Sequence, residues 1–205
     1  PDVASARRAG LAGGRCGGIV LNSYMETSAP DIYALGDAIE FPNAVTGTPA
    51  NTYLAGPANK QARVVADNIV LGNTRCYRGA VATAVAKVFD LTVASTGLSE
   101  KALRAEGVPY MSSITHSGSH AGYYPGAKPM SIKLVFSPAD GKILGAQIVG
   151  YDGVDKRIDV VAALLRTGGT VRDLAEMEQA YAPPYSSAKD PVNIAGMAAE
   201  NAMAG

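Results

Sequence analysis

The run Met130-Ser131-Ile132-Lys133-Leu134-Val135-Phe136 constrains the fold more than any other stretch. Met130, Ile132, Leu134 and Phe136 are apolar, while Ser131 and Lys133 between them are polar. Successive side chains of a strand point to opposite faces, so this run describes a strand with one face buried and one face wet. Pro138-Ala139-Asp140-Gly141 reads as a turn, and Ile143 to Val149 returns as the second arm of a hairpin. A half-wet strand of this kind belongs in an antiparallel sheet.

The flanking segments extend that sheet. Thr83–Val88 and Leu91–Thr96 are rich in Val and Thr, with Phe89 between them, and read as strands or a hairpin. Ser99 is placed to cap a short helix, Glu100–Glu106, that Gly107 ends. Tyr110–Thr115 reads as another strand. Val154–Thr167 carries Val154, Ile158, Val161, Ala162 and Leu165 on one helical face, and Gly168-Gly169 stops it. Thr170 and Asp173 have the spacing of a capping box, and Asp190 followed by Pro191 opens a last helix. The order β-β-α-β-β-β-α-α-α over residues 79–205 implies an α+β domain, with an antiparallel sheet and helices on one side.

Residues 1–78 follow another pattern. Asp2–Leu11 is a short amphipathic helix ended by Gly10, and Ile19-Val20-Leu21 is a short strand after a Gly-rich link. Thr27-Ser28-Ala29-Pro30-Asp31-Ile32-Tyr33-Ala34-Leu35-Gly36-Asp37 comes next. Pro30 disfavours helix at Ala29, and Ile32–Leu35 reads as a strand buried on both faces. Gly36 lets the backbone approach a neighbour closely, and Asp37 follows it. An irregular loop runs on to Asn51. Gly56–Leu71 is an amphipathic helix whose core-facing side holds Ala62, Val65, Ala66, Ile69 and Val70, with Gly72 as its stop. The polar stretch Asn73–Gly79 marks the boundary between residues 1–78 and residues 79–205.

Composition removes several classes of function. Lys plus Arg equal Asp plus Glu at 18 each, which argues against a nucleic-acid or membrane-surface partner. No apolar run approaches a membrane span, and no basic region leading into an apolar one marks a signal peptide. Cys16 and Cys76 stand far apart in no metal-like spacing, so both read as spectators in a reducing, cytoplasmic setting. His116 and His120 lack further ligands, which leaves no metal site in view. Asp155, Lys156, Arg157 and Asp159 read as helix-surface and interface ion pairs.

Three features remain as candidates for chemistry. Asp37 is either a plain turn residue or an acceptor for polyol hydroxyls at a strand end. The first turn after Leu54 and Ala55 offers free N–H groups and partial positive charge. Two Pro-containing stretches present phenols: His120-Ala121-Gly122-Tyr123-Tyr124-Pro125-Gly126 and Tyr181-Ala182-Pro183-Pro184-Tyr185-Ser186-Ser187-Ala188-Lys189-Asp190-Pro191. A tyrosine can donate a hydrogen bond or a proton near a thiolate or thioester, or it can simply pack an interface. Lys128 and Lys189 lie close by in sequence.

Thr27–Asp37 resembles the second flavin motif of the FAD-dependent pyridine nucleotide–disulfide oxidoreductases, T-x-x-P-x-I-[YF]-A-x-G-D. Leu54-Ala55-Gly56-Pro57-Ala58-Asn59-Lys60-Gln61-Ala62-Arg63 resembles the family's L-A-x-x-A-N-K-Q-G-R, with departures at Pro57 and Ala62. Tyr181–Asn193 resembles the C-terminal signature of coenzyme A-disulfide reductases. The resemblance runs from about Ile19 to the end. It implies that Asp37, beside Gly36, holds the ribitol of FAD, and that backbone at Leu54 and Ala55 meets the flavin ring.

It further implies an interface domain that forms a homodimer, in which Tyr123 and Tyr181 reach the partner's active site, with Tyr124 and Tyr185 packing. NAD(P)H would be the reductant, and a coenzyme A-type disulfide, persulfide or polysulfide the substrate. No G-x-G-x-x-G occurs, so on this reading the chain is the C-terminal part of a longer enzyme: the end of a flavin domain (1–78) plus a dimerisation domain (79–205). The piece alone would be inactive, and in some relatives its last helix leads into a rhodanese domain. Two alternatives stay open: an NADH oxidase or peroxidase of the same fold, and a dimerisation module with no activity of its own.

Overall fold

A computed structural model describes residues 1–205. The chain divides into two compact units, Pro1–Ala82 and Thr83–Gly205. Residues 79 and 80 belong to the first by their contacts. The Ala44 N–H donates to the Ala80 carbonyl at 3.0 Å, and a Cβ at Gly79 would lie 2.4 Å from the Pro42 carbonyl oxygen.

In the first unit, α1 (Ala4–Arg8) precedes β1 (Ile19–Val20). The stretch to Asn51 is not wholly irregular: it contains β2 (Ile39–Pro42) and β3 (Pro49–Ala50). Strand β2 pairs in parallel with β1 and antiparallel with β3. The long helix α2 spans Ala55–Leu71, ending at Gly72 in the left-handed conformation. Met25, Ile39, Val64 and Val65 form the core, with Tyr33, Ala34, Phe41 and Tyr77 packed on it.

Two expectations for this unit fail. Ile32–Leu35 is not a buried strand: it makes one isolated bridge, Tyr33 to Glu26, and Ile32 and Leu35 are exposed. A strand buried on both faces needs neighbours on both edges, and none flanks this segment within the unit. The buried face of α2 is Gln61, Val64, Val65 and Asn68, whereas Ile69 and Val70 are 61% and 80% exposed. Asn68 moves the face round. Its amide donates to the carbonyls of Tyr24 and Arg75 and accepts from the Arg75 N–H, each at 2.8 Å. A buried polar group satisfied by three backbone partners holds the helix as firmly as an apolar one would.

The second unit follows the expected order. Strands β4 (Ala84–Val88), β5 (Leu91–Gly97), β6 (Met111–Gly118), β7 (Pro129–Phe136) and β8 (Ile143–Gly150) form one antiparallel sheet in the order β4-β5-β8-β7-β6. Ile132 faces Ile148 and Leu134 faces Ala146, all buried. Ser131, Lys133 and Gln147 occupy the other face, as the alternation requires. Helix α3 (Glu100–Glu106) is capped by the Ser99 hydroxyl and closed by Gly107. Helix α4 (Val154–Thr167) packs on β5 and β8, and α6 (Pro191–Ala204) packs on β6, β7 and α5 (Val171–Glu176). Thr170 and Asp173 form the full capping box of α5. The buried Asn193 amide takes up the carbonyls of Leu174, Ala175 and Met177 at the end of that helix. No helix is long and apolar enough to cross a membrane.

Candidate functional site

In the second unit, the segment from Ser119 to Lys128 links β6 to β7, and the segment from Met177 to Lys189 links α5 to α6. Both are stapled at their ends. The Ser119 N–H donates to the Lys128 carbonyl at 2.8 Å, and the Ala121 N–H donates to the Ser186 carbonyl at 2.9 Å. The second bond ties the two segments together. Their tips bring Tyr123 and Tyr181 into contact: the phenol oxygens lie 2.8 Å apart, across 58 residues of sequence. Both rings stay accessible, at 76% and 47% exposure. The hydrogen bond from Tyr123 raises the Tyr181 phenol above its ordinary value, with some burial and charge repulsion adding to it. Such a pair presents a hydroxyl that donates and resists ionisation, a form suited to hydrogen bonding an anion.

Below the tips lies a buried polar layer. His120 is buried between the Ser119 hydroxyl (3.1 Å) and the Pro125 carbonyl (3.3 Å), and Tyr124 packs edge-on against its ring. Tyr185 is exposed, and its carbonyl accepts from Lys156 at 2.8 Å. Arg157 overturns the surface reading of its helix: it is 1% exposed and paired with Asp190 at 2.9 Å. Asp155, Lys156 and Asp159 do face solvent. Burial pushes the Asp190 carboxyl up, but donors from Arg157, Ser186 and the Val192 N–H outweigh it and hold the group below the ordinary carboxylate range. Lys128 and Lys189 are exposed on the same segments, and His116 bonds Ser131 on the open sheet face at 2.8 Å.

In the first unit, Gly36 opens a short 3₁₀ turn, Gly36–Ala38, with a positive φ of 75°. Its N–H donates to the Gln61 side chain at 2.8 Å, which seats the turn on α2. A Cβ at Gly36 would lie 3.9 Å from the Ala58 Cβ. Asp37 is exposed on this turn. Leu54 caps α2 without a side-chain acceptor, and Ala55 and Gly56 are exposed, so the first N–H groups of the helix are open. A free carboxylate beside an uncapped helix N-terminus fits a ligand that carries both hydroxyls and an electron-rich edge. Cys16 and Cys76 are free and exposed. Cys16 donates to the Pro49 carbonyl, and the buried Glu40 carboxylate accepts its N–H at 2.7 Å.

Residues 83–191 match the model of the pyridine nucleotide-disulphide oxidoreductase dimerisation domain. The chain belongs to the pyridine nucleotide-disulphide oxidoreductase family. It is 37% identical over 184 residues to the coenzyme A disulfide reductase of Staphylococcus epidermidis, covering 90% of this chain and 42% of that one. Among solved structures it resembles reduced Bacillus anthracis CoADR-RHD (53% identity, TM-score 0.95, 100% of this chain and 37% of the other). A NAD-dependent persulfide reductase from A. fulgidus is also similar (40%, TM-score 0.94, 98% and 38%). So is the water-forming NADH oxidase of Lactobacillus brevis (26%, TM-score 0.92, 98% and 44%). The chain thus spans less than half the length of these relatives.

Within this oxidoreductase fold the structure brings Tyr123 to Tyr181, and it places Gly36 and Asp37 against the helix that Leu54 and Ala55 begin. Sequence reasoning missed Arg157. A signal was present: an arginine at 157 follows the helical spacing of Val154, Ile158 and Val161, and so falls beside their buried face.

Proposed function

We propose that this chain is the C-terminal part of a flavin-dependent NAD(P)H:disulfide oxidoreductase that acts on a coenzyme A-type disulfide, persulfide or polysulfide. The observation that carries the reading is the 2.8 Å contact between the Tyr123 and Tyr181 hydroxyls. Two phenols held together on loops of a dimerisation domain are placed to serve a site completed by a second copy. The homodimer is therefore part of the proposal, and the matched domain supports it.

The residues of the first unit fit FAD. Asp37 would accept hydroxyls of its ribitol, and the open N–H groups beyond Leu54 and Ala55 would face the electron-rich edge of its ring. When bound, that group would carry electrons from NAD(P)H to sulfur. The tyrosine pair would hold a proton at the phenol oxygens and donate it, or a hydrogen bond, to a thiolate leaving group. The two free, exposed cysteines suit a reducing cytoplasm. Similarity is greater to the thiol-acting relatives, at 53% and 40% identity, than to the oxidase at 26%.

Replacing both Tyr123 and Tyr181 with Phe in the whole enzyme tests the reading. Disulfide turnover is expected to fall about 10²-fold or more, the range for loss of a positioned acid, while the visible flavin spectrum stays unchanged. Undiminished turnover in a flavin-loaded enzyme rejects the catalytic role.

A further inference from the structure

The buried charge beneath the tyrosines has no counterpart among the residues so far assigned a task. Arg157 spends its guanidinium on four partners. Nε donates to both Asp190 oxygens, at 2.9 and 3.2 Å, and Nη2 reaches Asp190 Oδ2 at 2.9 Å. Nη2 also donates to the Ser119 carbonyl at 2.8 Å and approaches the Ser186 hydroxyl at 3.5 Å. Nη1 donates to the Gly153 carbonyl at 3.0 Å, which anchors the whole group to the start of α4. The Ser186 hydroxyl in turn donates to Asp190 Oδ2 at 2.5 Å.

These partners are not scattered. Ser119 is where the chain leaves β6 towards Tyr123. Ser186 and Asp190 are where the chain coming from Tyr181 enters α6. One planar fork therefore holds the base of each tyrosine segment, and α4 holds the fork. Residues 122–129 are exposed, and the edge-on contact of Tyr124 with the His120 ring is the ring packing that holds this tip, so polar bonds at the base largely fix where it sits. A buried ion pair is a poor source of stability compared with apolar residues of the same volume, and its best-attested use is to specify one geometry. Only arginine offers donors in this fixed planar arrangement, since a lysine is a point charge on a flexible stem.

We infer that Arg157, with Asp190 and Ser186, is the positioning device that sets the separation of the Tyr123 and Tyr181 phenols. It touches neither phenol and acts through the two segments that carry them. Its value to catalysis rests on the function proposed above, but the positioning itself does not.

The test follows the phenols directly, in the whole enzyme. 3-Fluorotyrosine is placed at 181, and its ionisation is followed by 19F NMR with Tyr123 intact and with Tyr123→Phe. One shared hydrogen bond corresponds to about a two- to tenfold difference between the two ionisation constants. In Arg157→Lys, which keeps the charge and loses the fork, that difference is expected to fall below about twofold. A merely structural arginine would change stability and leave the coupling of the folded molecules intact. Ser186→Ala removes one strut at little risk to folding, and it carries the test if Arg157→Lys fails to fold. A smaller coupling in it supports the inference, and an unchanged one overturns it. Wild-type coupling retained in folded Arg157→Lys, or no coupling in the wild type, also overturns it. Turnover that survives loss of both phenols would sink the catalytic reading and leave this result standing.

Discussion

Arg157→Met should expose the energetic side of the same ion pair. The arginine side chain is 1% exposed and that of Asp190 4%, so removing the cation leaves a carboxylate in the interior with only Ser186 and the Val192 N–H as donors. Breaking a buried pair in this way costs about 3–5 kcal/mol. For a unit of this size that is roughly a 2 M fall in urea midpoint. Because the chain has two units, the assay must report on the second alone. A urea titration read by hydrogen-exchange mass spectrometry on the β7 and β8 peptides does so.

The pH dependence gives the sharper check. In the wild type the net effect of burial, which raises the Asp190 carboxyl, and of its donors, which lower it, is a depressed value. Its ionised form therefore contributes stability that is present above the unfolded value, about 3.9, and lost as pH falls through the folded one. Without Arg157, burial prevails and the folded value rises. The variant is then penalised at neutral pH and relieved as the carboxyl takes up a proton. The difference between the two proteins should shrink from about 3–5 kcal/mol at pH 7 to about 1–2 kcal/mol at pH 3, the remainder being the lost bonds to the Ser119 and Gly153 carbonyls. A penalty under about 1 kcal/mol at pH 7, or one equal at both pH values, refutes the reasoning.

Two further outcomes are expected. Asn68→Leu leaves the Tyr24 and Arg75 carbonyls and the Arg75 N–H without their partner, and should destabilise the first unit by about 2–4 kcal/mol, read as faster exchange in α2. Gly145→Ala would put a Cβ 2.1 Å from the Leu98 carbonyl oxygen, where backbone must give way; a loss of about 1–3 kcal/mol in urea unfolding is expected, with exchange rising first at Gly97 and Leu98.

What was readable in advance followed from short-range rules. The bounds of α3 and α4, the capping box at Thr170, the Asp190 cap and the β7–β8 hairpin all appear where residues a few positions apart place them. The core-facing side of α2 was misjudged because hydropathy treats Asn68 as a surface residue. The Tyr24 carbonyl, 44 residues away, and both backbone groups of Arg75 beyond the helix end make it an interior one. Ile32–Leu35 was misjudged because apolarity over four residues does not say whether strands lie on either side.

Sequence alone, then, was enough for the antiparallel sheet, the helices across it and the two loops that end in phenols, because periodicity and capping act over one or two turns of chain. That Tyr123 meets Tyr181, and that Arg157 lies buried between their segments, emerged only in three dimensions. Those contacts join positions 29 to 58 residues apart, and such distances leave no periodic trace in the order of the amino acids.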